Sequence, residues 1–314
     1  MSSAPSDPTT VGGATSVTAR ARGDLHRGLA ALVSAFGIWG LLPLYLRPLH
    51  SVPPLEIAAH RLVWCCLFVL GWLWSRGELG LVGDALRSGP TRRRLTASAV
   101  FISVNWLTYV WAVGNGRVIE ASLGYFVNPL VNVLLGVVVL RERLNKVQWS
   151  AVALAGSGVL YLTWLTGAPP WIALVLATSF GTYGLLRKTV QVDALPGLAA
   201  ETLLIAPIGA IYLGWSLLDG KSAAAHGGPL VDTLLFLGGP LTAIPLALFS
   251  FGARRVPYST VGLVQYVGPT IQLLLGIFLY GEPFAPARAV GYALIWAALV
   301  LYAAHGLLRE SSTG

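Results

Sequence analysis

Long apolar runs separated by short polar segments dominate the hydropathy pattern of the chain. Each run holds about 18 to 22 residues, enough for a helix to cross a bilayer core of about 30 Å. The runs do not alternate polar with apolar positions, as the strands of a membrane barrel do. The pattern therefore predicts an all-α membrane protein with ten transmembrane helices, at residues 29–47, 55–74, 96–113, 120–140, 147–166, 170–187, 197–217, 232–252, 259–280 and 287–307.

The fourth predicted helix carries a polar stripe within an otherwise apolar sequence. Tyr125, Asn128 and Asn132 are spaced i, i+3 and i+7, which places them on one face of a helix. Polar side chains in a membrane span face protein or a water-filled cavity rather than lipid. This helix is therefore a candidate wall of a central cavity.

The fourth helix has a counterpart in the ninth. Pro129 matches Pro269, and the Leu-Leu-Gly sequence at 134–136 returns at 274–276. Motifs of the first and second helices also return in the sixth and seventh. The positions equivalent to the polar stripe hold Gln265, Gly268 and Gln272.

The repeat divides the chain into two units of five helices, at residues 27–166 and 167–308. Because five is an odd number, the second unit enters the membrane from the opposite side. The sequence therefore predicts two inverted repeats, an architecture in which transporters place their substrate site near the bilayer midplane, between the repeats.

The basic residues predict the orientation. Most of the 21 Lys and Arg residues lie before the first helix or in loops that the ten-helix topology puts on the same side. The positive-inside rule assigns that side to the cytoplasm. Both termini are therefore predicted to be cytoplasmic, residues 1–26 as a disordered tail and residues 309–314 as a short C-terminal tail.

Composition narrows the class of function. The chain is 55% hydrophobic and 11% charged, whereas a soluble domain is about 25% charged. The net charge of +8 arises from loop residues that determine topology, so no nucleic acid partner is expected. The five His residues lie in separate segments without metal-ligand spacing, and Cys65 and Cys66 are adjacent in one apolar run. The sequence predicts no catalytic site and no cofactor.

Four motifs give the chain a resemblance to a known family. Together with the ten-helix duplicated organisation, they resemble the EamA branch of the drug/metabolite transporter superfamily and, within it, the RarD group, which is labelled after a chloramphenicol-sensitivity phenotype. The motifs are WGLLPLY at 39–45, EIAAHR at 56–61, NW at 105–106 and EASLGYFVNPL at 120–130.

The resemblance covers roughly residues 27–307 and implies a permease of the bacterial cytoplasmic membrane. Its implied activity is movement of a small amphipathic metabolite or drug by alternating access, with export favoured. The alternatives are a membrane-embedded enzyme and a non-transporting membrane scaffold. The expected partners are the small-molecule substrate and the lipid bilayer, and a homodimer is left open.

The residues predicted to line the substrate cavity are amides and aromatics on the spans that carry the repeated motifs. Amides in membrane spans can instead join helices through hydrogen bonds worth about 0.6 kcal/mol, and aromatics can serve packing alone. The recurrence of the polar stripe favours a cavity. The candidates are Trp39, Asn105, Trp106, Tyr109, Tyr125, Asn128, Asn132, Tyr183, Gln265 and Gln272.

Ionisable residues within or at the ends of spans form a second set of candidates, for ion coupling or charge pairing. Such residues cost about 2.5–3.5 kcal/mol at a helix centre, so they usually have a partner or a function. His60 and Glu201 occupy matching repeat positions and are candidates to titrate during transport. Structural alternatives are snorkelling for Arg61, pairing with His60 for Glu56, and the helix dipole for Glu120.

Overall fold

The computed structural model of the chain describes residues 9–115, 118–167, 171–220, 222–279 and 286–311. Helices account for most of these residues, and they contain no β-strand. The first half comprises α1 (Thr9–Gly40), α2 (Leu42–Leu46), α3 (Pro54–Ser75), α4 (Leu79–Arg87), α5 (Gly89–Gly114), α6 (Val118–Val138) and α7 (Lys146–Thr166). The second half comprises α8 (Trp171–Thr189), α9 (Ala194–Leu218), α10 (Ala223–His226), α11 (Gly228–Ala253), α12 (Tyr258–Val264), α13 (Val267–Leu274) and α14 (Pro286–Ser311).

The helices confirm the prediction of an all-α membrane fold. Each predicted span overlaps at least one of them. Five helices are long and apolar enough to cross a membrane, and two shorter apolar helices, Gly124–Val138 and Pro286–Tyr302, accompany them. The count of ten crossings stays a prediction. The five are Gly23–Leu49, Pro54–Ser75, Ala194–Leu218, Gly228–Ala253 and Tyr258–Leu279.

The repeated fourth and ninth spans differ in their backbone. Helix α6 continues through Pro129 without a break. Its counterpart is divided into α12 and α13 at Gln265 and Tyr266, and a π-helical segment, Leu275–Leu279, follows α13. Proline lacks the amide hydrogen needed by a helix interior, and Pro269 accordingly sits in the first turn of α13, where that hydrogen is not needed.

Helix contacts follow the symmetry of an inverted repeat. Helix α7 packs on α14, α3 on α9 and α6 on α12, so each of these helices meets its own counterpart. Six further contacts form three exchanged pairs: α1 with α11 and α8 with α5, α6 with α8 and α13 with α1, α3 with α11 and α9 with α5. This pattern is the one expected when a two-fold axis relates the two halves of the bundle.

Glycine allows the closest approach between the two repeated helices. A Cβ atom built at Gly262 of α12 would lie 2.5 Å from the carbonyl oxygen of Pro129 and 3.1 Å from Cβ of Asn132. Contacts this short do not occur in folded proteins, so α12 can pack against α6 only with glycine at this position.

The N-terminal segment differs from its prediction. Helix α1 begins at Thr9, so helix occupies most of the segment 1–26 that was predicted to be disordered. After Pro8 the next proline is Pro43, so no proline interrupts the helix between them, although Thr, Val, Ser and Gly make up most of residues 9–22. The hydropathy pattern missed this extension because residues 9–22 lack a long apolar run.

Helix α4 is a further element that the hydropathy pattern did not reveal. It connects α3 to α5 at the end of the bundle predicted to face the cytoplasm, and it packs against α9. Val82 and Ala85 are buried, whereas Asp84 and Arg87 are exposed. Its nine residues form too short an apolar face to register as a span.

Candidate functional site

A cavity of about 170 Å³ lies between the two halves of the bundle. Helices α1, α2, α3, α5 and α6 of the first half and α8, α11 and the α12–α13 segment of the second half supply its walls. The lining positions run from the middle of these helices towards the ends predicted to face outward. Eight of the ten predicted cavity residues line it: Trp39, Asn105, Trp106, Tyr109, Tyr125, Asn128, Gln265 and Gln272.

Aromatic rings from both halves form part of the cavity wall. The ring of Trp39 meets that of Phe180 edge-on, with centroids 5.8 Å apart, and the rings of Tyr109 and Tyr125 are 6.2 Å apart. Phe36 also lines the cavity. Sequence reasoning did not nominate Phe36 or Phe180, although both open the Phe-Gly motif that recurs in the first and sixth spans. That recurrence is the signal that could have identified them.

Two cavity amides also join helices. Gln272 Nε2 donates a hydrogen bond to the carbonyl oxygen of Trp39 at 3.0 Å. Asn105 Nδ2 donates to the carbonyl oxygen of Leu176 at 2.8 Å and to Ser179 Oγ at 3.1 Å. The alternatives of cavity lining and interhelical bonding therefore both apply to these residues.

Asn128 differs from the other amides that line the cavity. It is buried, it lines the cavity, and its Oδ1 atom accepts no hydrogen bond from the residues that the structure describes. An unpartnered buried carbonyl oxygen is costly, so this atom is available to a donor that enters the cavity.

Two predicted cavity residues, Asn132 and Tyr183, require correction. Asn132 is fully buried one turn beyond Asn128, at the contact of α6 with α12, and its Nδ2 atom donates to Gln265 Oε1 at 2.7 Å. Tyr183 is buried beside Phe249, with centroids 6.1 Å apart and nearly parallel rings. Both positions share a helix with cavity residues, but they lie closer to the predicted cytoplasmic end, where the halves pack without a cavity.

We expect Asn132→Ala to destabilise the protein by about 1–3 kcal/mol, because Gln265 Oε1 would be left buried without its donor. Asn128→Ala provides the matched control on the same helix and should cost less, because its side chain makes no hydrogen bond to the described residues that would be broken. Thermal unfolding of the detergent-solubilised variants measures the difference. Equal losses of stability would contradict the separate roles of the two amides.

Arg61 is the one charged residue among the described residues that line the cavity. Its Nε atom donates to Thr242 Oγ1 at 2.9 Å, and its guanidinium carbon lies 5.8 Å from the centroid of the Trp106 ring. These contacts hold the guanidinium beside the cavity, which argues against snorkelling to the interface. Thr242 was missed by sequence reasoning because α11 contributed no motif to the repeat.

The ionisable residues near Arg61 on α3 lie outside the cavity lining. Glu56 is buried and accepts hydrogen bonds from Ser222 Oγ and the amide of Ala223, both at 2.8 Å. His60 Nδ1 accepts from Trp64 Nε1 at 3.3 Å, and its Nε2 atom is 3.9 Å from Glu56. These contacts tie α3 to the loop before α11. The side chain of Glu120, the fourth candidate in the first half, lies outside the described residues.

Glu201 also lies away from the cavity, in a buried ion pair. Its Oε1 atom is 3.5 Å from NH1 of Arg187, and both side chains are almost fully buried. Arg187 also donates from Nε to Ser250 Oγ at 3.0 Å and from NH2 to the carbonyl oxygen of Ala194 at 2.9 Å. Sequence reasoning treated Arg187 as a loop cation because it ends a predicted span. The pairing of Arg187 with Glu201 leaves no pattern in a single sequence that would predict it.

The end of the bundle predicted to face the cytoplasm is closed by contacts between the halves. Glu142 of the first half accepts hydrogen bonds from the amides of Tyr258 and Ser259, the latter at 2.9 Å, and so caps α12. The rings of Phe36 and Phe249 meet edge-on across the interface, with centroids 6.0 Å apart. A solute in the cavity therefore faces a packed barrier in this direction.

Solved structures share the architecture. One crystal structure superposes with a TM-score of 0.67, covering 88% of this chain and 97% of that chain, at 17% sequence identity. Identity this low supports a common fold and nothing finer.

Sequence comparisons identify the family. The EamA-like transporter family model matches residues 26–164. An uncharacterized transporter of Pseudomonas aeruginosa is 44% identical over 90% of this chain and 95% of its own length. Protein RarD of Escherichia coli is 38% identical over 92% of this chain and 97% of its own length. The chain therefore belongs to the EamA-like transporter family, is RarD-like, and is a multi-pass membrane transporter.

Proposed function

We propose that the protein carries a small amphipathic organic solute across the bacterial cytoplasmic membrane by alternating access. The two five-helix units would rearrange about the cavity, so that it opens to one side of the membrane at a time. Both termini would be cytoplasmic, and export is the favoured direction because of the family resemblance.

The position of the cavity carries this proposal. It lies between the two repeats, both of which line it, and its lining combines aromatic rings, amides and one guanidinium. The contacts of Glu142 with α12 and of Phe36 with Phe249 close the predicted cytoplasmic end. A carrier that holds its solute near the midplane, with a barrier on one side, has this arrangement.

A transport screen tests the proposed function. Cells that lack the protein and cells that overexpress it would be compared for the metabolites and added drugs found inside and outside, by mass spectrometry. Leu42→Trp serves as the control, because Leu42 lines the cavity and is only half-buried, so that a larger ring is expected to obstruct the cavity. We expect at least one solute to change its distribution with the wild-type chain and not with Leu42→Trp. No such solute in a broad screen would contradict the proposal.

We expect cysteine labelling to place the loop that contains Ser51 outside the cell and the loop that contains Ser88 inside. Both side chains are exposed, and the positive-inside rule assigns them to opposite sides. Ser51→Cys and Ser88→Cys, each in a background with Cys65→Ala and Cys66→Ala, would be treated with an impermeant maleimide in intact cells. Labelling of Ser88→Cys but not Ser51→Cys would reverse the orientation.

A further inference from the structure

The charge of Arg61 is not balanced by the described residues that surround it. In the part of the chain that the structure describes, no carboxylate lies within 4 Å of its guanidinium. Its one hydrogen bond there runs from Nε to Thr242 Oγ1. The two terminal NH2 groups, which carry four donor hydrogens, have no partner among the described residues.

The protein nevertheless holds this guanidinium in place. Thr242 Oγ1 donates its own hydrogen to the carbonyl oxygen of Gly238 at 2.7 Å, which leaves its lone pairs directed at Arg61 Nε. The Trp106 ring lies 5.8 Å away on another side. An unpaired cation in a membrane interior costs free energy. A carrier that holds such a cation in a fixed orientation recovers this free energy when a bound anion pairs with it.

We propose that the cavity selects a small organic monocarboxylate, with Arg61 binding the carboxylate and the aromatic wall binding an apolar body. The inference rests on the proposed function and names the substrate class of the same cavity. The planar guanidinium matches a carboxylate through two parallel hydrogen bonds. The rings of Phe36, Trp39, Tyr125 and Phe180 supply apolar surface for the rest of the solute.

The charge of the site favours a carboxylate over a phosphate ester. Arg61 is the one charged side chain among the described lining residues, so it balances one negative charge. A phosphate monoester carries about 1.5 to 2 negative charges at neutral pH. The second charge would be left uncompensated among aromatic rings.

Binding measured on the purified full-length protein tests this inference without requiring transport. The probes are phenylacetate, 3-phenylpropionate, 4-phenylbutyrate and hexanoate, each compared with its own neutral amide in equilibrium dialysis. Acid and amide have nearly the same shape, so their affinity ratio reports the charge. We expect at least one acid to bind about tenfold or more tightly than its amide, the scale of a hydrogen bond to a charged group.

Variants assign the preference to Arg61. In Arg61→Gln the acid-to-amide ratio should fall to about one while amide binding persists, and Arg61→Lys should retain part of the ratio because it keeps the charge without the planar fork. Thr242→Val should lower the ratio by releasing the guanidinium. Arg76→Gln is the matched control, since Arg76 is exposed beside Glu78 and outside the cavity lining.

Two results would overturn the inference: no wild-type preference for any acid over its amide, or a preference that survives Arg61→Gln. The first needs no variant and therefore does not depend on whether Arg61→Gln folds. The result of this binding measurement can be distinguished from the result of the transport screen. A chain that prefers acids but moves no solute contradicts the proposed function alone, and a chain that moves solutes without this preference contradicts only the assignment of substrate class.

Discussion

Arg187→Ala is expected to lower the free energy of unfolding by about 3–5 kcal/mol, the cost of removing one partner from a buried ion pair. The substitution leaves the carboxylate of Glu201 buried without its counter-charge. It also removes the hydrogen bonds to Ser250 Oγ and to the carbonyl oxygen of Ala194. Three elements, α8, α9 and α11, lose a shared contact as a result.

Chemical unfolding in detergent measures this loss of free energy of unfolding, and two further variants serve as controls. Arg76→Ala breaks an exposed ion pair with Glu78 and should cost less than about 1 kcal/mol. Combining Arg187→Ala with Glu201→Gln should recover part of the stability, because a neutral amide is cheaper to bury than a carboxylate. If Arg187→Ala costs no more than Arg76→Ala, the buried pair does not contribute as argued.

The same pair bears on ion coupling. Glu201 and His60 match in the repeat, but Glu201 faces Arg187, whereas His60 contacts Trp64 and lies near Glu56. Coupling through either residue therefore stays a hypothesis. Transport by Glu201→Gln and His60→Gln that keeps the wild-type dependence on pH and proton gradient would exclude it.

Gly262→Leu is expected to lower the free energy of unfolding by about 3 kcal/mol or more, at the upper end for overpacked sites. Its Cβ alone would lie 2.5 Å from the carbonyl oxygen of Pro129, and backbone cannot move aside as a flexible side chain can. Helices α6 and α12 would have to separate, and the contact between the halves would be lost. The yield of monodisperse protein and its melting temperature both measure the effect.

Gly156→Leu is the matched control for this substitution. Gly156 also lies within a helix, α7, but a Cβ there meets no atom of the described residues within 4 Å. Leucine favours helix over glycine by up to about 1 kcal/mol, so this variant should be neutral or more stable. Equal damage by the two substitutions would mean that leucine is tolerated poorly in these helices for reasons other than the α6–α12 contact.

The sequence predicted the membrane fold and most of the cavity because both leave periodic signals. Apolar runs identify helices, and the recurrence of Pro129 at Pro269 and of the Leu-Leu-Gly sequence at 274–276 identifies the helices that face each other. Spacing could not show where along a helix the cavity ends. Asn132 shares a face with Asn128, yet it lies where α12 packs against α6.

Pairings between distant residues were the part that the sequence did not reveal. A cation at the end of a span predicts topology equally well whether it is solvated or buried, so Arg187 gave no sign of its contact with Glu201. Thr242 looked like any other small residue of an apolar helix. The contacts of Arg187 with Glu201 and of Thr242 with Arg61 form only because the fold brings α8 next to α9 and α3 next to α11.

The cap that Glu142 places on α12 has a consequence for how the protein is made. The carboxylate and the amide of Ser259 are 117 positions apart in the chain, so α6 and Glu142 leave the ribosome long before α12 exists. Until then the first half has no partner for this carboxylate or for the α6 face that later meets Gly262. The cap on α12 and the contact of α6 with α12 can therefore form only after the second half of the chain has been made.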